Sequence, residues 1–116
     1  MIISRHVRVG IDIEKIKPRI ARVSDKFLSP PEIGSISREN ELEQLTLAWC
    51  AKEALYKLYG QRNLDFRENL LVKIPRRAGK EFDGEINWGG IKNSYRLFSE
   101  IIRSSVLVYC TDTPLK

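Results

Sequence analysis

Five ionisable side chains have types and spacings that could support metal-assisted chemistry on a phosphate. Asp12 and Glu14 stand two apart in "VGIDIEKI" (9–16), and Lys52, Glu53 and Lys57 crowd into "WCAKEALYK" (49–57). In an extended strand, residues two apart share a face and lie about 6–7 Å apart along it. Asp12 and Glu14 would therefore project together, opposite Val9, Ile11 and Ile13, with Gly10 on their own face leaving room for something to approach the backbone. Two carboxylates beside a glycine suit Mg2+, a hard cation that takes oxygen ligands and usually binds through one or two carboxylates plus substrate phosphates. A half-exposed strand with its polar face in water explains the same pattern without any chemistry.

The second group lies on a helix that is apolar nearly all the way round. At about 100° per residue, Thr46, Cys50, Glu53 and Lys57 fall in one narrow arc with Glu43 at its edge. Lys52 leaves from another side, among Leu45, Ala48, Tyr56 and Tyr59. So wide an apolar surface implies packing on more than one side, and the polar arc must face a cleft, another polar element or a strip of solvent. Glu53 and Lys57, four apart, form at the least a helix-stabilising pair worth about 0.2–0.5 kcal/mol. That leaves Lys52 unexplained, unless its stem snorkels outward along the apolar face.

The elements that must position these residues read as follows. "IISR" and "RVGIDIEKI" suggest a short hairpin or two consecutive strands. A helical stretch opens at Pro18, with Ile20, Val23, Phe27 and Leu28 on one face. In "SPPEI", Ser29 as N-cap, proline at the first helical position and Glu32 three residues on form a capping box. Asn40 and Glu43 make a second one, opening a helix over 40–59 that would be roughly 30 Å long and would end at Gly60. Strands are expected over 66–74, 81–88, 94–102 and 105–111. The chain is thus α+β, an antiparallel sheet against one long and one or two short helices.

With 116 residues, 42% of them hydrophobic and 30% charged, the composition is that of a single domain spanning 1–116. No apolar run approaches the roughly 20 residues of a membrane span, and "MIISRHVRVG" lacks the parts of a signal peptide, so a cytoplasmic location and no membrane partner are expected. Cys50 and Cys110 have no metal-like spacing and read as buried reduced thiols rather than a disulfide, and with a single His in the chain a zinc site is excluded. The net charge of +5, concentrated in "KIKPRIARVSDK" (15–26) and "KIPRRAGK" (73–80), favours an acidic partner. No zinc finger, RNP-type motif or aromatic-interleaved basic patch points to nucleic acid.

Three blocks in order, "VGIDIEKI", "KFLSPPEI" (26–33) and "WCAKEALYKLYG" (49–60), resemble the 4′-phosphopantetheinyl transferase superfamily. The family pattern is a G-[IV]-D-[IV]-E strand, an F-[FL]-S-x-x-E stretch and a long helix bearing W-x-x-K-E-[AS]-x-x-K. The resemblance implies transfer of the phosphopantetheine arm of coenzyme A to a serine of an acidic acyl or peptidyl carrier protein, leaving adenosine 3′,5′-bisphosphate. It further implies that Asp12, Glu14 and Glu53 hold Mg2+ and that Glu53 takes the serine proton. Lys52 would stand near the phosphates of coenzyme A, and Lys57 near the reacting phosphate or leaving group. Lys17, Arg19, Arg22 and Lys26 are candidates for the carrier-docking face. Ser29 and Glu32 are explained by capping and are left out of the site. His6 is read as an ordinary strand residue, and Arg62 stands where the family often has glycine.

The superfamily has two size classes, large monomers of two similar halves and small single-half enzymes that assemble as trimers with sites between subunits. This chain has the length of the small class and the motif wording of the second half of the large one. Two expectations follow: an active transferase completed by self-association as a dimer or trimer, or an isolated half without activity of its own. Either predicts an exposed apolar face. A basic non-catalytic module binding an acidic protein or nucleic acid is the alternative of another class.

Overall fold

The arrangement is built around one helix, α3 (Glu41–Tyr59), with a sheet laid across it. The computed structural model describes residues 8–60 and 63–113. The strand expected in "IISR", and the readings of His6 and Arg62, lie outside these residues. Helix α3 ends where its sequence requires: Gly60 adopts the left-handed conformation at φ 77° and donates its N–H to the Tyr56 carbonyl. Its start differs from expectation. Asn40 and Glu43 do not cap each other; Asn40 Nδ2 reaches the Arg76 carbonyl, and Glu43 Oε2 accepts from the Ala78 N–H. Both side chains bind the loop after residue 74 instead, because that loop packs over the helix N-terminus and its own backbone groups need partners.

The helical stretch expected after Pro18 is broken in two. Helix α1 (Ile20–Val23) gives way to a single 3₁₀ turn over Ser24–Lys26, where the Ser24 hydroxyl bonds back to the Ala21 carbonyl. Phe27 and Leu28 are then buried under α3. Helix α2 (Pro30–Gly34) starts with the Ser29–Glu32 capping pair.

Five strands, β1 (Val9–Lys15), β2 (Leu70–Val72), β3 (Phe82–Trp88), β4 (Ile91–Ile102) and β5 (Ser105–Thr111), form one antiparallel sheet in the order β1-β5-β4-β3-β2. The architecture is the expected α+β. Strand β2 is shorter than predicted because Asp65 ties the preceding residues into a turn, its Oδ1 accepting from the Arg67 and Glu68 N–H groups. Gly89 and Gly90, both at positive φ, close the β3–β4 hairpin. The inner face presents Leu70, Ile86, Leu97, Val106 and Val108 to the α3 residues Leu47, Ala48, Ala51, Ala54 and Leu55. No helix among the described residues is long and apolar enough to cross a membrane. Both cysteines are free and buried, as read from the sequence.

Strand β1 alternates as predicted, with its polar face turned to α3 rather than to water. The face bearing Gly10, Asp12 and Glu14 turns inward onto α3, and Val9, Ile11 and Ile13 are more than half exposed at 57, 51 and 56%. The room beside Gly10 is taken by the helix backbone rather than by a ligand. A Cβ there would lie 2.0 Å from the Ala54 carbonyl oxygen and 3.0 Å from the Leu58 Cβ. Beside the outward row, Ile11 and Ile13 pair with Tyr109 and Leu107, and the Phe98 ring stacks on Tyr109 at 5.3 Å. Three strands thus share an exposed apolar surface.

The close approach at Gly10 sets an expected outcome. Gly10→Ala should lower stability by about 1–3 kcal/mol or more, since the obstacle is backbone that cannot swing aside. Gly34→Ala, where an added Cβ meets nothing within 4 Å, serves as the comparison. Urea unfolding of the two variants checks this, and equal midpoints would refute the packing argument.

Candidate metal and phosphate site

The polar arc of α3 faces the inner face of β1, so two elements supply the site jointly. The Cys50 thiol donates to the Asp12 carbonyl at 3.0 Å and lies 3.4 Å from that of Val106, fixing the strand at the level of Asp12. Burial, followed by the nearby Asp12 charge, pushes this thiol far up, so it stays a neutral donor. Two turns on, Lys57 Nζ donates to Asp12 Oδ1 at 2.7 Å and approaches the Ile11 carbonyl at 3.3 Å. The Asp12 side chain is only 8% exposed, whereas that of Lys57 is 50% exposed.

Asp12 Oδ2 is buried and accepts no hydrogen bond. A buried anionic oxygen without a donor is costly and rare, and a bound cation would relieve it. Its neighbour Glu14 is pushed up to about 7, first by burial and then by its hydrogen bond and charge contact with Asp12 and by the Glu53 charge. The Trp49 side chain hydrogen-bonds Glu14 and works in the opposite sense. Glu53 is also raised, by burial and the Asp12 charge, with Lys57 offsetting part of this. Both shifts come first from burial and then from neighbouring negative charge, as expected of carboxylates brought together in a partly dry site. Mg2+ needs only one or two such carboxylates and completes its shell with water and substrate phosphate, so the Asp12–Glu14 pair suits it.

The expected three-carboxylate ligand set is, however, not closed. Among the described residues, no three His, Cys, Asp or Glu side chains are gathered tightly enough to hold a metal ion. Asp12 and Glu14 are neighbours on one strand face whose charges act on each other, and Glu53 interacts with both through charge. The cation that all three share is the Lys57 ammonium, whose own proton affinity is raised first by the Asp12 hydrogen bond and then by the charges of Asp12, Glu53 and Glu14.

Beside Glu14 the surface opens into a cleft of about 680 Å³, floored by Ile20, Thr46 and Trp49 and rimmed by Lys15, Lys17, Arg19 and Arg22. A second, more apolar hollow of about 470 Å³ adjoins it, lined by Ile20, Val23, Phe27, Trp49 and Phe66, with Lys26 at its edge. Of the basic residues singled out for docking, Lys17, Arg19 and Arg22 therefore border the opening beside Glu14, and Lys26 borders the second hollow.

Lys52 is not there. Its side chain is completely buried, and Nζ donates to the Glu32 carboxylate and to the Phe27 and Phe66 carbonyls, each at 2.7 Å. The expectation that it stands near a substrate phosphate is corrected: all three of its protons are used inside the protein, on a side of α3 away from Asp12. Burial lowers its proton affinity, and the Glu32 hydrogen bond and charge counteract this. Glu32 in turn accepts the Ser29 N–H and hydroxyl on Oε1 and the Val72 N–H on Oε2. Reading Glu32 as a cap alone missed its larger role. The signal was available, since a lone lysine on an apolar helix face requires a buried counter-ion. Trp49 and Cys50 were likewise passed over, although both stood in the helix motif and each carries a donor.

The model of the 4′-phosphopantetheinyl transferase superfamily matches this chain over residues 8–110. No curated protein matches it.

The interior position of Lys52 makes a direct forecast. Lys52→Met should cost about 3–5 kcal/mol, because it leaves the Glu32 carboxylate buried without its counter-ion. Chemical denaturation measures this; a loss below about 1 kcal/mol would show that the pair is not the interior anchor described.

Proposed function

The chain belongs to the 4′-phosphopantetheinyl transferase superfamily, and from that premise we propose that it transfers the phosphopantetheine arm of coenzyme A to a serine of an acidic acyl or peptidyl carrier protein. The observation that carries this reading is Asp12: a buried carboxylate with one oxygen lacking a donor, held on its other oxygen by a half-exposed lysine, and flanked by Glu14, which lines a basic cleft.

In the proposed reaction the serine oxygen attacks the phosphorus that bears the pantetheine arm. The bond from that phosphorus to the anhydride oxygen breaks, and the leaving group departs as adenosine 3′,5′-bisphosphate. Asp12 and Glu14, with Glu53 drawn in, would hold Mg2+, which supplies charge neutralisation at the pyrophosphate. Lys57 can reach a phosphate oxygen without unpacking, because its side chain already projects toward solvent. Glu53 takes the serine proton; its raised affinity for a proton makes it a better base than an ordinary carboxylate. Lys17, Arg19 and Arg22 on the cleft rim offer the carrier a surface of opposite charge.

Incubation with coenzyme A, Mg2+ and an apo carrier, read by mass spectrometry of the carrier, tests the reading. A phosphopantetheine adduct is expected, and its rate should fall at least about 10²-fold in Asp12→Ala and Glu53→Ala. Absence of an adduct with several carriers would overturn the activity and favour an isolated half.

The exposed row of Val9, Ile11 and Ile13, continued by Tyr109, supports self-association as part of the same proposal. A second copy of the chain would cover this face as a dimer or trimer. Light scattering at micromolar concentration should give a mass above the 13.4 kDa of one chain, falling to the monomer in Ile11→Asp. A wild-type monomer would sink the proposal.

A further inference from the structure

We propose that Lys57 stands in for the metal: its ammonium is the counter-cation of the carboxylates in the metal-free chain, and entry of a divalent cation moves it from Asp12 to a phosphate oxygen of the substrate, so that metal and substrate bind cooperatively. The inference rests on the functional reading above and adds to it a coupling between the two ligands.

The geometry is that of a placeholder. Lys57 Nζ lies 2.7 Å from Asp12 Oδ1, and the charges of Asp12, Glu53 and Glu14 all act on it. A divalent ion bound to the Asp12 carboxylate, close to Oδ1, repels an ammonium at that distance. The two cations therefore compete for the charge of one carboxylate, the ammonium at Oδ1 and the ion drawn to the donor-free Oδ2. Lys57 is also built to leave. Its side chain is half exposed, and its remaining contact is a 3.3 Å approach to the Ile11 carbonyl. The other lysine of this helix segment shows the contrast: Lys52 is fully buried with three acceptors at 2.7 Å and has nowhere to go.

Two obstacles then cancel. Metal alone must break the Lys57–Asp12 pair, and phosphate alone finds the lysine already engaged. When both are present, the displaced ammonium gains the phosphate, so each ligand removes the other's cost. The coupling is reciprocal, and effects of this kind typically amount to about 5–150-fold in affinity.

Mn2+ serves as the probe, with free ion followed by electron paramagnetic resonance in the full chain, with and without coenzyme A. A protein-free titration corrects for Mn2+ held by coenzyme A itself. In the wild type, coenzyme A is expected to tighten Mn2+ binding about tenfold. In Lys57→Met, Mn2+ should bind about five- to tenfold more tightly without coenzyme A, and the tightening by coenzyme A should fall to within about twofold. Lys92→Met removes the same charge from an exposed position in the β3–β4 hairpin, outside the cleft, and should leave both quantities within about twofold of wild type. Unchanged or weaker Mn2+ binding in Lys57→Met, or equal behaviour of the two variants, would overturn the placeholder role while leaving the metal reading intact. A wild type that binds no Mn2+ even with coenzyme A would overturn both. Lys57→Met leaves the buried Asp12 carboxylate without its donor, so a lower unfolding midpoint than wild type is expected, and the titrations are made under conditions where circular dichroism shows both proteins folded.

Discussion

Burying an ammonium group is affordable only if every proton on it finds an acceptor, and Lys52 meets that condition through three separate segments. Its acceptors lie before α2, within α2 and before β2. Glu32 extends the tie by accepting the β2 backbone at Val72 and the Ser29 cap. A pair of this kind adds little net stability against a well-packed apolar replacement, but its directional bonds admit few alternatives. It holds Phe27 and Phe66 around Trp49, whose ring lies 5.2 and 5.3 Å from theirs, and Trp49 both floors the cleft and steadies Glu14. The order of the site thus depends on an ion pair that takes no part in it.

One helix therefore carries two lysines with opposite tasks. Lys52 is fixed because its environment is dry and complete. Lys57 is held by a single strong bond at the edge of solvent, beside carboxylates whose charges act on it. The difference arises from direction around the helix alone. A displacement of about 100° per residue sends one into the junction of three elements and the other onto the face of β1.

Much of this was legible before any coordinates. Period-two alternation in "VGIDIEKI" placed Asp12 and Glu14 on one face, and the wheel separated Lys52 from Glu53 and Lys57. The Gly60 stop and the "GG" turn at 89–90 follow from local backbone chemistry, as does the Ser29–Glu32 pairing. What failed were readings that depend on distant partners. Asn40 and Glu43 look like a cap, yet the chain near residue 78 competes for them. Gly10 promised space for a ligand, and only tertiary packing reveals that Ala54 fills it. Lys52 matched a motif position, and a motif carries no information about which way a buried side chain finds its acceptors.

The orientation of β1 connects the site to the outer surface of the molecule. Residues in β1 alternate with a period of two, so turning Gly10, Asp12 and Glu14 toward α3 necessarily turns Val9, Ile11 and Ile13 away from it. A strand that fed its apolar row to the core would leave the carboxylates in water, too far from Glu53 and Lys57 to act with them. The choice was settled by Gly10, whose missing side chain lets the backbone of β1 rest on that of α3, and by Cys50, whose thiol reaches the Asp12 carbonyl. Placing the carboxylates where they can work has the consequence of an uncovered apolar face on an edge strand, an arrangement that soluble proteins avoid unless something packs there. Assembly with a second body is therefore the physical counterpart of the site itself, because both follow from the direction in which one strand faces.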